Sequence, residues 1–101
     1  MELLDIDSAG GFRVVAGTER SQAATMVLAP GQTTGGPTNS HPESDQWLYV
    51  QSGSGTVIID GTEYELTAEK LALIEAGETH EIRNEGDEPL VTVSVYAPPE
   101  Y

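Results

Sequence analysis

The sequence predicts one all-β domain of short antiparallel strands, and three observations carry that reading. Turn residues punctuate the chain densely, at Gly10-Gly11, Pro30-Gly31, Gly35-Gly36-Pro37, Gly53, Gly55, Asp60-Gly61, Gly77, Glu85-Gly86-Asp87 and Pro98-Pro99. Between these marks lie runs rich in Val, Ile, Thr and Tyr, at the roughly 8–12-residue spacing of sandwiches and barrels. No run has the length and period of a helix, and Leu66-Thr67-Ala68-Glu69-Lys70-Leu71 offers one turn at most. A chain of 101 residues without internal repeat or linker matches one domain, 1–101, around one core.

Strands are expected at 12–17, 22–29, 45–51, 55–60, 62–66, 71–75, 79–85 and 90–97. The first two carry apolar residues on both faces (Phe12, Val14, Val15, Met26, Leu28). One small barrel covers only one face of each strand, so this pair predicts a homodimer. In the third strand Gln46, Leu48 and Val50 alternate against Asp45, Trp47, Tyr49 and Gln51. Trp47 and Tyr49, opposite Gln46, are read as packing between sheets or subunits rather than as a ligand platform. Asp60-Gly61 joins the fourth and fifth strands as a tight hairpin, because glycine accepts the positive φ of such a turn. In the seventh strand His80, Ile82 and Asn84 alternate against Glu81, Arg83 and Glu85. In the last, Val91, Val93 and Val95 share one face while Thr92, Ser94 and Tyr96 share the other.

Composition narrows the function. Apolar residues make up 38% and charged residues 21%, ordinary for a globular chain rather than a disordered one. Seventeen acids against Arg13, Arg20, Lys70 and Arg83 give a net charge of −13. Four scattered cations cannot build the patch that nucleic acid or an anionic membrane needs. The acidity reads as a solvated surface. The N-terminus lacks a basic, apolar leader and no stretch is long and apolar enough to span a bilayer, so the cytoplasm is the default location. With no cysteine, a metal would have to be held by nitrogen and oxygen.

Gln46 and His80 both fall on the aliphatic, inward face of their strands. A polar group there costs several kcal/mol, on the order of 2–7, unless it finds a partner. The two therefore call for one explanation. They lie in two segments, Asn39-Ser40-His41-Pro42-Glu43-Ser44-Asp45-Gln46-Trp47-Leu48-Tyr49-Val50-Gln51-Ser52-Gly53 and Glu75-Ala76-Gly77-Glu78-Thr79-His80-Glu81-Ile82-Arg83-Asn84.

Together these segments resemble the two motifs of the cupin superfamily, G-x5-H-x-H-x3,4-E-x6-G and G-x5-P-x-G-x2-H-x3-N. Asn39 falls on the first histidine, His41 on the second, Gln46 on the glutamate and Gly53 on the closing glycine. Gly77, His80 and Asn84 match the second motif, while Glu69 replaces its leading glycine and Glu75 its proline. Gly31 lies two residues too far upstream to match the leading glycine of the first. The fifteen residues 54–68 between the motifs resemble the spacing of compact single-domain cupins.

The resemblance implies a double-stranded β-helix, or jelly-roll barrel, with a small organic ligand at its mouth. It also implies a divalent metal (zinc, nickel, iron or manganese) held by His41, Gln46, His80 and Asn39. The reactions it allows are those of mononuclear metal-dependent dioxygenases, isomerases or lyases. Two of the four positions are amides here, which bring oxygen but no charge; Glu43 is the candidate replacement carboxylate, whereas parity sends Asp45 outward. The residues leave a second reading open. Alone, His41 would be a surface histidine and His80 a core histidine satisfied by backbone. Asn39 and Gln46 could then hydrogen-bond those imidazoles in a metal-free pocket, as in a non-catalytic sensor or storage module. Asn84 is expected to tie down a turn.

Overall fold

The computed structural model describes residues 1–6 and 9–101. Its strands are β1 (Gly11–Gly17), β2 (Gln22–Leu28), β3 (Thr33–Ser40), β4 (Asp45–Ser52), β5 (Ser54–Ile59), β6 (Thr62–Thr67), β7 (Leu71–Ile74), β8 (Thr79–Arg83) and β9 (Leu90–Ala97). They form a larger sheet, β1-β2-β9-β4-β7, and a smaller one, β3-β8-β5-β6, antiparallel throughout. This is the jelly-roll arrangement, and among the described residues there is no helix. The core lies between the sheets: Met26, Leu28, Leu48, Val50 and Leu90 from the larger sheet and from the smaller one Val57, Leu66 and Ile82, with Ile74 of β7.

The Asp60-Gly61 turn has positive φ at both residues, 47° and 85°. That is the twist a two-residue hairpin requires, and it sets Ile59 opposite Thr62. Asn84 closes the far end of the barrel. Its amide nitrogen donates to the Leu28 and Glu88 carbonyls, both at 2.8 Å, and its oxygen accepts from the Gly86 N–H at 3.0 Å. It ties down a turn, as expected.

One element differs from the sequence reading. Strand β3 is not expected, because Gly35-Gly36-Pro37 reads as a turn. It is an edge strand, where a broken ladder is tolerated. Its pairing with β8 skips from Gly35, opposite Glu81, to Ser40, opposite Thr79. Gly35 sits at φ 79° and a Cβ there would collide with the His80 carbonyl, so glycine is what lets β3 approach β8. Asn39 therefore stands on a strand rather than in a loop.

The structure also settles which face of β9 points inward, which the alternation leaves open. Thr92, Ser94 and Tyr96 are the buried face, while Val93 and Val95 look outward. Register explains it: Gln46 stands opposite Tyr96, Leu48 opposite Ser94 and Val50 opposite Thr92, all on the inner face. The valines belong to an outer face that is itself apolar.

Glu69, at the position of the family's leading glycine, adopts φ 73°. An L-residue is strained in that left-handed region, and the Glu69 N–H still donates to the Val50 carbonyl at 2.8 Å. Glu69→Gly should therefore stabilise the fold by about 0.5–1 kcal/mol, after the extra chain entropy of glycine is subtracted. Urea denaturation checks this, and a lower midpoint for the variant would contradict the strain argument.

Candidate functional site

One end of the barrel collects the polar residues. β3 delivers Asn39 and hands the chain to His41, β4 delivers Gln46, β8 delivers His80, and β9 delivers Ser94 and Tyr96. The Gly77 N–H donates to the His41 carbonyl at 2.9 Å and so ties the two motif segments together. His41, Gln46, His80, Ser94 and Tyr96 are all buried.

The imidazoles of His41 and His80 lie with ring centroids 4.7 Å apart, tilted by 44°. The side-chain nitrogen of Asn39 is 3.3 Å from Nε2 of His80. Gln46 donates from Nε2 to Ser94 Oγ at 3.1 Å, which leaves its Oε1 buried without a hydrogen-bond partner. Nδ1 of His80 is likewise buried and unpartnered. The structure thus brings Asn39, His41 and His80 into one cluster, with Gln46 on the facing sheet beside Tyr96. Among the described residues no three His, Asp or Glu side chains converge as a metal-ligating group.

The carboxylate at this site is not Glu43, which is exposed. It is Glu100, whose Oε1 lies 3.1 Å from Nδ1 of His41. Asp45 points outward, as parity predicts, and accepts from the Ala76 N–H at 2.9 Å. Residues 98–101 fold back to form one wall of the site. Ser44 Oγ donates to the Pro98 carbonyl at 2.7 Å, and the Gln22 amide holds the backbone of Glu100 and Tyr101. Tyr101 stands edge-on to Tyr96 at 5.3 Å and tilted against Phe12 at 4.8 Å. Sequence reasoning missed Glu100, Gln22 and Tyr101. The hydroxyl face of β9 was visible in the alternation, but nothing marked the tail.

Burial, then the neighbouring His41, hold the His80 pKa below its ordinary 6.5, while the Glu78 backbone and then Glu100 pull the other way. The Tyr96 phenol is pushed far up, first by burial and then by Tyr101 beside it, and burial also raises Tyr101. Near neutral pH the inner surface is therefore uncharged at His80 and both phenols. A surface hollow of about 740 Å³ lies elsewhere, against Gly10, Val27, Gln32, Ser52, Pro89 and Val91. Its lining has no histidine and a single carboxylate, Glu88, so size does not make it the chemical site.

A lowered histidine pKa fixes the sign of a pH effect. The unfolded chain takes up a proton near 6.5 while folded His80 resists it, so this contribution is complete above that pH and is lost as pH falls below it. In chelator, wild type should lose more melting temperature than His80→Gln between about pH 7.5 and about pH 5.5. Parallel losses in the two proteins would show that His80 titrates normally.

Residues 24–96 match the cupin domain family. The tetracenomycin polyketide synthase protein TcmJ of Streptomyces glaucescens is 34% identical over 73 residues, which cover 72% of this chain and 48% of TcmJ. The chain spans about half the length of the curated relatives it matches. Among solved structures, BH2720 of Bacillus halodurans superposes with a TM-score of 0.85 at 31% identity, covering 91% of this chain and 73% of that one. TT1209 of Thermus thermophilus gives 0.82 at 27% identity, covering 97% and 98%. With the motif residues placed on these strands and most of the chain matched, this protein belongs to the cupin family.

Proposed function

We propose that this cupin binds a small organic molecule at the barrel end where His41 and His80 meet, together with a divalent cation of the zinc, nickel, iron or manganese kind. The observation that carries the proposal is the pair of orphaned buried atoms, Gln46 Oε1 and His80 Nδ1. Each costs about 1–3 kcal/mol when nothing completes it, and both belong to the family's ligand positions. His41, His80, Gln46 and Asn39 would hold the ion. Imidazole nitrogen and amide oxygen suit borderline first-row ions, at lower affinity than a set containing a carboxylate. Bound there, such an ion supplies Lewis-acid polarisation of a ligand oxygen, the chemistry common to dioxygenase, isomerase and lyase reactions. The likeness to TcmJ, a polyketide synthase protein by name, is in keeping with a small organic ligand.

A second reading draws on the Gln46–Ser94 hydrogen bond, which makes Gln46 part of a metal-free polar pocket. One substitution separates the two. If Gln46 faces an ion, Gln46→Glu restores an anionic ligand and should tighten binding about ten- to a hundredfold. Its melting temperature should then rise with added metal, beyond the rise of wild type. In a metal-free pocket the same change buries an unpaired carboxylate, and the variant melts lower with chelator and with metal alike. Elemental analysis adds a check on ligand identity: His80→Ala should lose more metal than Asn39→Ala, because imidazole is the better ligand.

The partner for the outer surface is a second copy of the chain. Of the apolar residues of β1 and β2, Met26 and Leu28 are spent in the core, while Phe12 and Val14 stay exposed. A larger exposed apolar group is carried by β4, β7 and β9. Trp47 stands opposite Leu73 and Val95, Tyr49 stands opposite Leu71 and Val93, and Trp47, Tyr49, Leu71, Leu73 and Val95 are all exposed. The outer face of the smaller sheet carries Glu63, Glu65, Glu81 and Arg83 in the equivalent positions. Two chains of charge −13 can approach most closely through this face, where β4, β7 and β9 present one carboxylate, Asp45, at its end and already paired to the Ala76 N–H. Light scattering should give twice the 10.7 kDa chain mass, more completely as salt is raised, and Trp47→Glu should restore the monomer. Wild-type protein of one chain mass at every salt concentration would sink the dimer.

A further inference from the structure

We propose that Glu100 is a positioning residue for His41: its carboxylate accepts the Nδ1 proton and thereby turns the Nε2 lone pair into the pocket. This rests on the reading of the barrel end as the ligand site, and it assigns a role to a tail residue that neither motif contains.

The argument begins with the contact. Glu100 Oε1 lies 3.1 Å from Nδ1 of His41, whose side chain is 7% exposed. An ionised carboxylate only accepts hydrogen bonds, so Nδ1 must be the donor. A neutral imidazole has one N–H, and with it on Nδ1 the lone pair is on Nε2. An imidazole left to itself would exchange between the two tautomers, and only one presents a basic nitrogen on the side away from the tail. A histidine that binds a metal needs that nitrogen bare, and a carboxylate behind the ring both orients it and raises its basicity.

The ring cannot turn away from Glu100. Tyr96 stands edge-on to it at 5.3 Å and 87°, Tyr101 at 6.0 Å and 78°, and the His80 ring covers a further side at 4.7 Å. Nor does Glu100 hang on a loose end. Buried Gln22 uses its whole amide on the tail: Oε1 accepts from the backbone N–H of Tyr101 at 2.9 Å and of Glu100 at 3.3 Å, and Nε2 donates to the Tyr101 backbone oxygen at 2.7 Å. Ser44 fixes Pro98 and Phe12 covers Tyr101. Three separate attachments therefore hold one carboxylate at one imidazole nitrogen. The carboxylate that Gln46 lacks relative to the family pattern has its counterpart behind the ligand ring instead of beside the ligand position.

The tautomer can be read directly. Long-range proton–nitrogen correlation spectra of metal-free, 15N-labelled protein at about pH 8, where an ordinary histidine is neutral, report which ring nitrogen carries the proton. Wild type should show His41 protonated on Nδ1 and bare on Nε2. Glu100→Gln, whose amide oxygen still accepts, should keep that tautomer, and Glu100→Ala should shift His41 toward Nε2–H. Gln22→Ala, which loosens the tail and leaves both partners in place, should give a mixture and serves if Glu100→Ala does not fold. Zinc titration of the same proteins should show affinity falling about ten- to a hundredfold in Glu100→Ala and less in Glu100→Gln. A wild-type His41 protonated on Nε2, or a tautomer indifferent to both Glu100→Ala and Gln22→Ala, overturns the proposal. Failure of wild type to bind zinc, nickel, manganese or iron(II) overturns the metal reading alone, and the spectra still decide the role of Glu100.

Discussion

Everything at the candidate site hangs on the pairing of β4 with β9. β9 lies between β2 and β4 at the centre of the larger sheet, and its register sets the inner face row by row: Gln46 opposite Tyr96, Leu48 opposite Ser94, Val50 opposite Thr92. Side chains alternate with period two, so a slip of one residue would send all of these outward and bring Trp47, Tyr49 and the valines in. The observed register produces a gradient along the barrel axis. Gln22, Gln46 and Tyr96 make one end polar, and Leu28, Leu90 and Val50 make the rest dry. Hydroxyls along the way are satisfied internally: Thr92 Oγ1 donates to the Met26 carbonyl at 2.9 Å and Ser94 accepts from Gln46. The unsatisfied atoms are confined to the histidine end, where a ligand can complete them.

The charge of the chain is distributed to suit that gradient. Acids crowd the outer face of the smaller sheet, where Glu81 accepts from Arg83 at 2.7 Å. The outer face of the larger sheet is mainly apolar across β4, β7 and β9, with Asp45 at its end. Inside, burial keeps His80 and Tyr96 neutral, and the one carboxylate that reaches in, Glu100, meets an imidazole rather than the cavity. A protein of charge −13 thereby keeps a ligand site whose inner surface carries little of it. An anionic or oxygen-rich ligand would otherwise be repelled over a distance set by the ionic strength.

Much of this was legible in the sequence, for reasons that also explain what was not. Strands β4, β5 and β6 announced themselves because alternation and an Asp-Gly turn are local signals that tertiary context did not override. Asn39, His41, Gln46 and His80 were legible because two spaced motifs carry them. β3 was hidden because Gly35 is needed for close approach to β8, and a glycine chosen for close approach looks like one chosen for a turn. The inward face of β9 was illegible because both of its faces have a claim to burial: valines suit an apolar outer surface, and hydroxyls suit a core that offers them partners. Glu100 could not have been found from spacing. It lies 59 residues from His41, just past a Pro-Pro pair that reads only as turn punctuation, and Gln22, far away on β2, holds it there.

The two amides at the family's ligand positions are best understood together with Glu100. Asn39 and Gln46 can donate as well as accept, so each finds a protein partner, His80 and Ser94, without an ion. A set with a glutamate in the Gln46 position would instead bury an ionised carboxylate beside Ser94 and Tyr96, which is costly unless it is paired. The amides thus satisfy part of the empty site and leave the Gln46 oxygen as an unpaired acceptor and His80 Nδ1, which carries the ring proton when Nε2 accepts from Asn39, as an unpaired donor. Placing the negative charge behind His41 keeps the electrostatic attraction for a cation, at one remove, while the pocket wall stays neutral toward the organic ligand. The attraction is weaker than direct ligation because Coulomb energy falls with distance and with partial solvation of a carboxylate that is 23% exposed. An ion on the proposed ligand set would therefore bind below the affinity of a carboxylate-bearing one, while the barrel stays stable with its amides paired to protein groups.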